Sequence, residues 1–207
     1  MIHEIDEVLR SLLGTHTLPG VITDIEFAAP TRTWAARRNS PTVNLYLYDI
    51  REEVSRRERG TIPVRDEHGR ILHRRRPPRW FRLSYLVTAW TTQPEDEHRL
   101  LSALLVLLLR HEVLPTESLT AALAELDVAI PMSVAVPPSE SRSLADLWSA
   151  MGGELKPSLD VVVVAPFLHS PAYRVGPPVT EDITVEVRGT SGAPADRATR
   201  SFRDVTR

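Results

Sequence analysis

The stretch "RRRPPRWFRLSYLVTAW", residues 74–90, poses the central question of this chain. Three arginines lead into two prolines, and an extended apolar run follows with a tryptophan at each end. Strand alternation puts Phe81, Leu83, Tyr85, Val87 and Ala89 on one face, which reads as core. Trp80, Arg82, Ser84, Leu86, Thr88 and Trp90 make up the other. Tryptophan and arginine mixed in this way are typical of contact surfaces. An arginine loop joined to a greasy strand fits a nucleic-acid grip, a membrane-seeking segment or a protein-contact element.

The run that follows, "TTQPEDEHRLLSALLVLLLRHEVL" (91–114), is the clearest helix. Thr92 with Glu95 predicts a capping box. Glu95, Asp96 and Glu97 occupy the first turn and Arg110 and His111 the last, complementing the helix dipole. The middle is apolar nearly all round, which predicts burial on more than one side. Its apolar core "LLSALLVLLL" (100–109) has ten residues between Arg99 and Arg110, too short to span a bilayer.

On the N-terminal side, Ile2, Ile5, Val8, Leu9, Leu12 and Leu13 form a helical stripe over residues 2–13, with Gly14 as its stop. Residues 21–30 read as a strand with Val21, Ile25, Phe27 and Ala29 on one face. "TVNLYLYDI" (42–50) is a second strand, with Val43, Leu45 and Leu47 facing one way and Asn44, Tyr46 and Tyr48 the other. Residues 51–79 differ in character. Between Arg51 and Arg82 lie eleven arginines and five acids, and "IPVRDEHGRILHR" predicts a β-hairpin arm with its tip at Asp66–Gly69.

Beyond the long helix, "TESLTAALAEL" (116–126) predicts a short helix. "DVAIPMSVAV" (127–136) predicts a strand near an edge or bulge because of Pro131. "SRSLADLWSAM" (141–151) predicts a helix capped by Ser141 or Ser143. "SLDVVVVAP" (158–166), β-branched with no polar face, belongs at the sheet centre. "DITVEVRG" (182–189) alternates as a half-exposed strand, and residues 190–207 read as a polar arm or tail. The fold class is α/β (α+β): one domain over 1–189, a mixed β-sheet flanked by helices, with the charged arm 51–79 inserted and projecting.

The chain has 207 residues, 42% hydrophobic and 25% charged, so a sizeable core is available. A net charge of -2 argues against a surface that is basic all over, but a local basic patch stays open. There are 24 arginines and one lysine, Lys156, a bias read mostly as that of a GC-rich coding sequence. With no cysteine there is no disulfide, thiolate metal site or cysteine nucleophile, and a cytoplasmic protein is the natural reading. Acids at Glu4, Asp6 and Glu7 do not suit a secretory leader.

Chemistry is sparse. Neither a GxxxxGK nor a GxGxxG arrangement occurs, which speaks against the common nucleotide loops. "HEVLP" at 111–115 has Pro115 where a zinc protease needs its second histidine, so His111 reads as a helix-end cation. No serine sits on a GxSxG elbow. No catalytic, metal or cofactor residue is nominated, and the chain is read as a non-enzyme. Three readings of the arginine-rich segment stay open. Arg74, Arg75 and Arg76 suit phosphates and Trp80 a stacked base; the arm could simply be solvated; or it is a protein interface. The acids Glu52, Glu53, Glu58, Asp66 and Glu67 would repel phosphate yet suit pairing between subunits, so protein contact is favoured. The nominated interface residues are Arg74, Arg75, Arg76, Arg79, Trp80, Arg82 and Trp90.

The order of motifs resembles a known family. An amphipathic "IHEIDEVLRSLL" precedes a strand ending "VNLYLYDI" and a variable charged stretch. "RLSYLVTAWTTQPEDEHRLLSALLVLL" comes next, and then "LADLWSAMGGELKPSLDVVVVAPF". From about residue 2 to 188 this resembles the N-terminal-domain family of the cap, or tail-terminator, proteins of phage-tail-like contractile injection systems. The resemblance implies an α/β structural protein with no catalytic or metal residues. It further implies a homo-oligomeric ring, a hexamer, that closes the inner tube and anchors the last sheath layer. The partners would be sheath and tube proteins, with assembly in the cytoplasm and no direct membrane insertion. The resemblance puts no fixed pattern on residues 51–79.

Overall fold

The structure, a computed structural model, describes residues 1–14, 23–137, 143–169, 171, 173–174, 183–187 and 196–200. In chain order its helices are α1 (Ile2–Gly14), α2 (Arg32–Ala35), α3 (Pro94–Leu108), α4 (Ala121–Ala124) and α5 (Leu144–Ala150). Its strands are β1 (Asp24–Glu26), β2 (Thr42–Glu52), β3 (Ile62–Arg65), β4 (Ile71–Arg75), β5 (Arg79–Trp90), β6 (Met132–Val134), β7 (Leu159–Phe167), β8 (Tyr173–Arg174), β9 (Ile183–Val187) and β10 (Asp196–Arg200). The chain divides into two compact units, Met1–Gly60 with Arg76–Ser170, and Thr61–Arg75 with Pro171–Arg207.

The first unit is built on a five-stranded sheet of order β1-β2-β5-β7-β6. The β1–β2 pair is parallel and the other pairs are antiparallel, so the sheet is mixed. The twelve-residue β5 is central, with β2 on one side and β7 on the other. Valine-rich β7 is also paired on both edges, but it stands one place from the centre, and Pro131 adjoins the edge strand β6. One face of the sheet carries Val43, Leu45, Leu83, Tyr85, Val87, Ala89, Val161 and Val163. These form one core with the apolar stripes of α1 and α3.

Tyr85 joins α1 to the central strand. Its ring is fully buried and its hydroxyl donates to Asp6 Oδ1 at 2.8 Å. Burial, then the Asp6 hydrogen bond, pushes the Tyr85 hydroxyl well above its ordinary pKa. Burial also raises Asp6, with the Tyr85 hydrogen bond opposing it.

Several expectations shift by a turn or less. The capping box at Thr92 and Glu95 does not form. The N-cap is Gln93, because Pro94, with its fixed φ and missing N–H, takes the first helical position. Thr91 Oγ1 donates to the Gln93 carbonyl, and the Thr91 amide donates to Glu97 Oε1. The helix ends at Leu108, so Arg110 and His111 lie beyond its last turn. It is also not buried all round: Val106 is 56% and Leu109 63% exposed. Residues 116–126 form a 3₁₀ turn (Thr116–Ser118) and the four-residue α4 instead of one helix. β1 is only three residues long, and Val21 lies outside the described residues. The cap of α5 is Ser143, whose Oγ accepts from the Asp146 amide; Ser141 lies outside the described residues.

The "MGG" after α5 is a helix stop. The Gly152 amide donates to the Ser149 carbonyl and the Gly153 amide to the Trp148 carbonyl, the two bonds of a Schellman motif. Gly152 has φ +66°, in the left-handed region that favours glycine. At Gly153 an added Cβ would lie 3.1 Å from the Trp148 ring, so its lack of a side chain lets the chain pass over that indole.

The second unit contains the expected hairpin. β3 and β4 pair antiparallel, and β4 also pairs with β8. At the tip Asp66 Oδ1 accepts from the amides of His68 and Arg70, and Gly69 has φ +79°. β9 and β10 form a separate antiparallel pair, so part of the expected polar tail is strand.

Two measurements follow. A carboxyl with a raised folded pKa binds its proton more tightly folded than unfolded, so ionising it lowers stability as pH rises through the carboxylate range. Asp6→Asn keeps an acceptor oxygen and has no charge to bury. It should raise the melting temperature at about pH 7 and give no gain at about pH 3, whereas Tyr85→Phe should cost about 1 kcal/mol. Gly152→Ala, strained in the left-handed region, should cost about 1 kcal/mol in chemical denaturation.

Candidate interaction surfaces

The face of the sheet opposite the main core is not uniform. Along β5 it runs Trp80, Arg82, Ser84, Leu86, Thr88, Trp90. Only Arg82 is exposed; Trp90 is half-buried and the rest are buried. Trp80 and Trp90 are ten residues apart on one strand, roughly 33 Å at strand rise. They mark two separate sites.

At the Trp90 end three of the four tryptophans gather. Trp34 meets Trp90 edge-on at 5.2 Å between ring centroids, and Trp148 lies 6.4 Å from Trp90. Each is brought in by a different element: α2, β5 and α5. Trp34 Nε1 donates to Glu26 Oε2 at 2.7 Å, and Arg38 both lies over the Trp34 ring and pairs with Glu26. The only lysine of the chain, Lys156, holds its Nζ 4.2 Å from the Trp90 ring centroid and also pairs with Glu97 on α3. A cation over an indole is attracted by the ring's negative face. Beside this cluster a depression of about 400 Å³ is lined by Arg38, Pro41, Trp90, Thr92, Asp96 and Arg99. The sequence signal for Trp90 was its place at the end of a strand. No local pattern signalled Trp34, Trp148 or Lys156, which reach it from distant segments.

At the Trp80 end the arginines are largely paired. Trp80 is 9% exposed, and the Arg56 guanidinium lies 4.8 Å from its ring centroid. Arg57 and Arg79 both donate to the Glu52 carboxylate, through their Nε atoms at 2.9 and 2.8 Å. These hydrogen bonds, Arg57's first and then Arg79's, hold the Glu52 carboxyl down at about 2. Glu53 accepts from Ser55 and from Arg82, which lower its pKa in that order. The β2–β5 register shifts between Leu47 and Asp49, on either side of Tyr48, whose hydroxyl donates to Asp160 Oδ1 at 2.9 Å.

The nominated residues therefore separate. Arg79, Trp80 and Arg82 share the Glu52–Glu53 network, with exposed Arg76 preceding them. Arg74 and Arg75 lie on β4 in the second unit, and Trp90 belongs to the tryptophan cluster. None of the six arginines from 59 to 76 has a carboxylate partner among the described residues; Arg65 donates to the Gly69 carbonyl and Arg74 to Thr61 Oγ1. Among the described residues no group of three or more His, Asp or Glu side chains is placed to hold a metal ion, and no helix is long and apolar enough to cross a membrane.

Comparison with known proteins gives the geometry a family. The electron cryo-microscopy structure of the PVC sheath/tube terminator, from an extracellular contractile injection system in its extended state, superposes with a TM-score of 0.68. It is 21% identical and covers 94% of this chain. The tube-terminating cap of the anti-feeding prophage superposes with a TM-score of 0.57 at 22% identity over 89% of this chain. The chain spans 65% and 60% of those two proteins, less than two thirds of either. No curated protein matches it significantly. The sequence profile of the Pvc16 N-terminal domain matches residues 4–181, both units' strands β1 to β8 included, and the chain belongs to the Pvc16 N-terminal domain family.

Proposed function

We propose that this protein terminates the tube of a contractile injection particle. Copies of it close into a ring, a hexamer by resemblance, at the end away from the baseplate. The ring stops the inner tube and anchors the last layer of sheath. The observation that carries the reading is the family match over residues 4–181, together with a fold shared with a sheath/tube terminator over 94% of the chain. The physical features agree with it: an exposed apolar end of α3, and a hairpin whose arginines have no carboxylate partner among the described residues. Such a protein is a structural component of the particle and assembles in the cytoplasm before the particle is complete.

A nucleic-acid module using residues 51–82 is the second reading. The unpaired arginines of the hairpin favour it. Against it, Arg57, Arg79 and Arg82 are held by carboxylates, and Arg56 covers one face of Trp80. Affinity for DNA or RNA that falls steeply with salt is its signature, and no binding at low salt ends it.

Producing the particle's tube and sheath proteins with and without this chain tests the first reading by electron microscopy. With it, tubes should end uniformly in a closed cap. Without it, tubes should vary in length and sheaths should detach at one end, because nothing stops subunit addition. Normal termination in its absence would overturn the reading.

A further inference from the structure

Among the described residues, unpaired charges of opposite sign predominate in two places: arginine in the hairpin and its flanks, where exposed Glu58 and Glu67 stand among them, and carboxylate just past α3, where exposed Arg110 precedes them. In the hairpin and its flanks, Arg59, Arg70, Arg74 and Arg76 are exposed and have no carboxylate partner among the described residues. Between residues 111 and 137 there is no lysine or arginine. The four acids there, Glu112, Glu117, Glu125 and Asp127, are all exposed and have no cationic partner among the described residues. The acidic surface also has an apolar rim. Val106 (56% exposed), Leu109 (63%) and Val113 (44%) stand at the end of α3 and just beyond it, next to Glu112. A helix that is leucine-rich nearly all round and still exposes its last turn has an unpartnered apolar face.

A ring of identical subunits is made by heterologous contacts, in which one patch of each copy meets a different patch of the next. Two exposed surfaces of opposite sign on one chain satisfy that requirement. Arginine suits the acidic one in a further way: its methylene stem covers apolar surface while its guanidinium pairs with carboxylates. We infer that the arginine-bearing hairpin of one copy docks on the acidic, valine- and leucine-rimmed surface at the end of α3 of a second copy. Arg70 and Arg74 face Glu112 and Glu117 there, and the arginine stems cover Leu109 and Val113. This contact rests on the ring reading and assigns the two patches that would build it. Two carboxylates of the arm serve a different purpose: Glu52 and Glu53 hold Arg57, Arg79 and Arg82, and not the arginines of the hairpin.

Charge reversal on each side tests the assignment, read by native mass spectrometry and sedimentation of the full chain. One variant carries R70E and R74E, which reverses the charge at the two contacting arginines. The other carries E112R and E117R, which reverses it at the two facing glutamates. Wild type should self-associate. Each variant alone should lose roughly a hundredfold in association constant, because like charges then face each other. Mixed in equal amounts the two should recover association, with the copies alternating in the closed species. All four positions are exposed, so folding is retained, and circular dichroism verifies it. If wild type closes and each variant closes equally well, the contact is wrong while the ring reading stands. If the mixture fails to recover after each variant alone has lost association, the pairing is wrong as well. If wild type stays monomeric and binds neither tube nor sheath protein, the ring reading falls and the contact with it.

Discussion

Strand β5 is hydrogen-bonded to β2 on one side and to β7 on the other over most of its length, and the first unit is arranged around that double pairing. A strand paired on both edges has no free backbone groups to satisfy, so its placement leaves side chains as the only variable. Its odd-numbered residues meet α1 and α3 in the main core, and Tyr85 ties α1 down through Asp6. Its even-numbered residues look the other way. There the burial changes along the strand, from Trp80 in a charged network to Trp90 in an aromatic cluster. One strand thereby sets the separation of two different surfaces.

The aromatic cluster joins two sequence motifs separated by more than fifty residues. "YLVTAW" ends at Trp90, and "LWSAMGGELK" supplies Trp148, the glycine stop and Lys156. The Schellman turn reverses the chain after α5, and Gly153 allows it to pass within van der Waals contact of the Trp148 indole. Lys156 is thereby delivered over the ring of Trp90 and into a pair with Glu97. A lysine carries a compact charge suited to standing over an indole while still reaching a carboxylate. Arg38 makes the same kind of arrangement on the neighbouring indole, over Trp34 and paired with Glu26.

At the opposite end of β5 the arginines fall into two groups. Those nearest the sheet share two carboxylates at close range, and the low Glu52 pKa is the electrostatic record of that sharing. Those on the hairpin have no such partners. The two carboxylates therefore neutralise Arg57, Arg79 and Arg82 and leave the arginines of the hairpin without a carboxylate among the described residues. Local composition alone shows only an excess of arginine; the pairing pattern separates its structural members from its available ones.

Periodicity was enough to identify α1, β2, β5, α3 and β7, because each buries a continuous stripe or a whole face, whereas the β3–β4 hairpin buries none and was legible from its Asp66–Gly69 turn and weak alternation. Motif order was enough for the family. Details that depend on competition between neighbours were less legible: Pro94 displaced the Thr92–Glu95 capping box, and α4 shrank to four residues. The bulge at Tyr48 and the exposure of Val106 and Leu109 depend on what packs nearby, which no local pattern encodes. Of the candidate site, the sequence by itself determined that Trp80, Arg82 and Trp90 share one side of a strand, since alternation is a property of the backbone. Only the tertiary structure decided that Trp80 and Trp90 serve different ends, which arginines are paired, and that Trp34, Trp148 and Lys156 join Trp90. Those are contacts between segments far apart in the chain, and their energies arise only once the fold has brought the segments together.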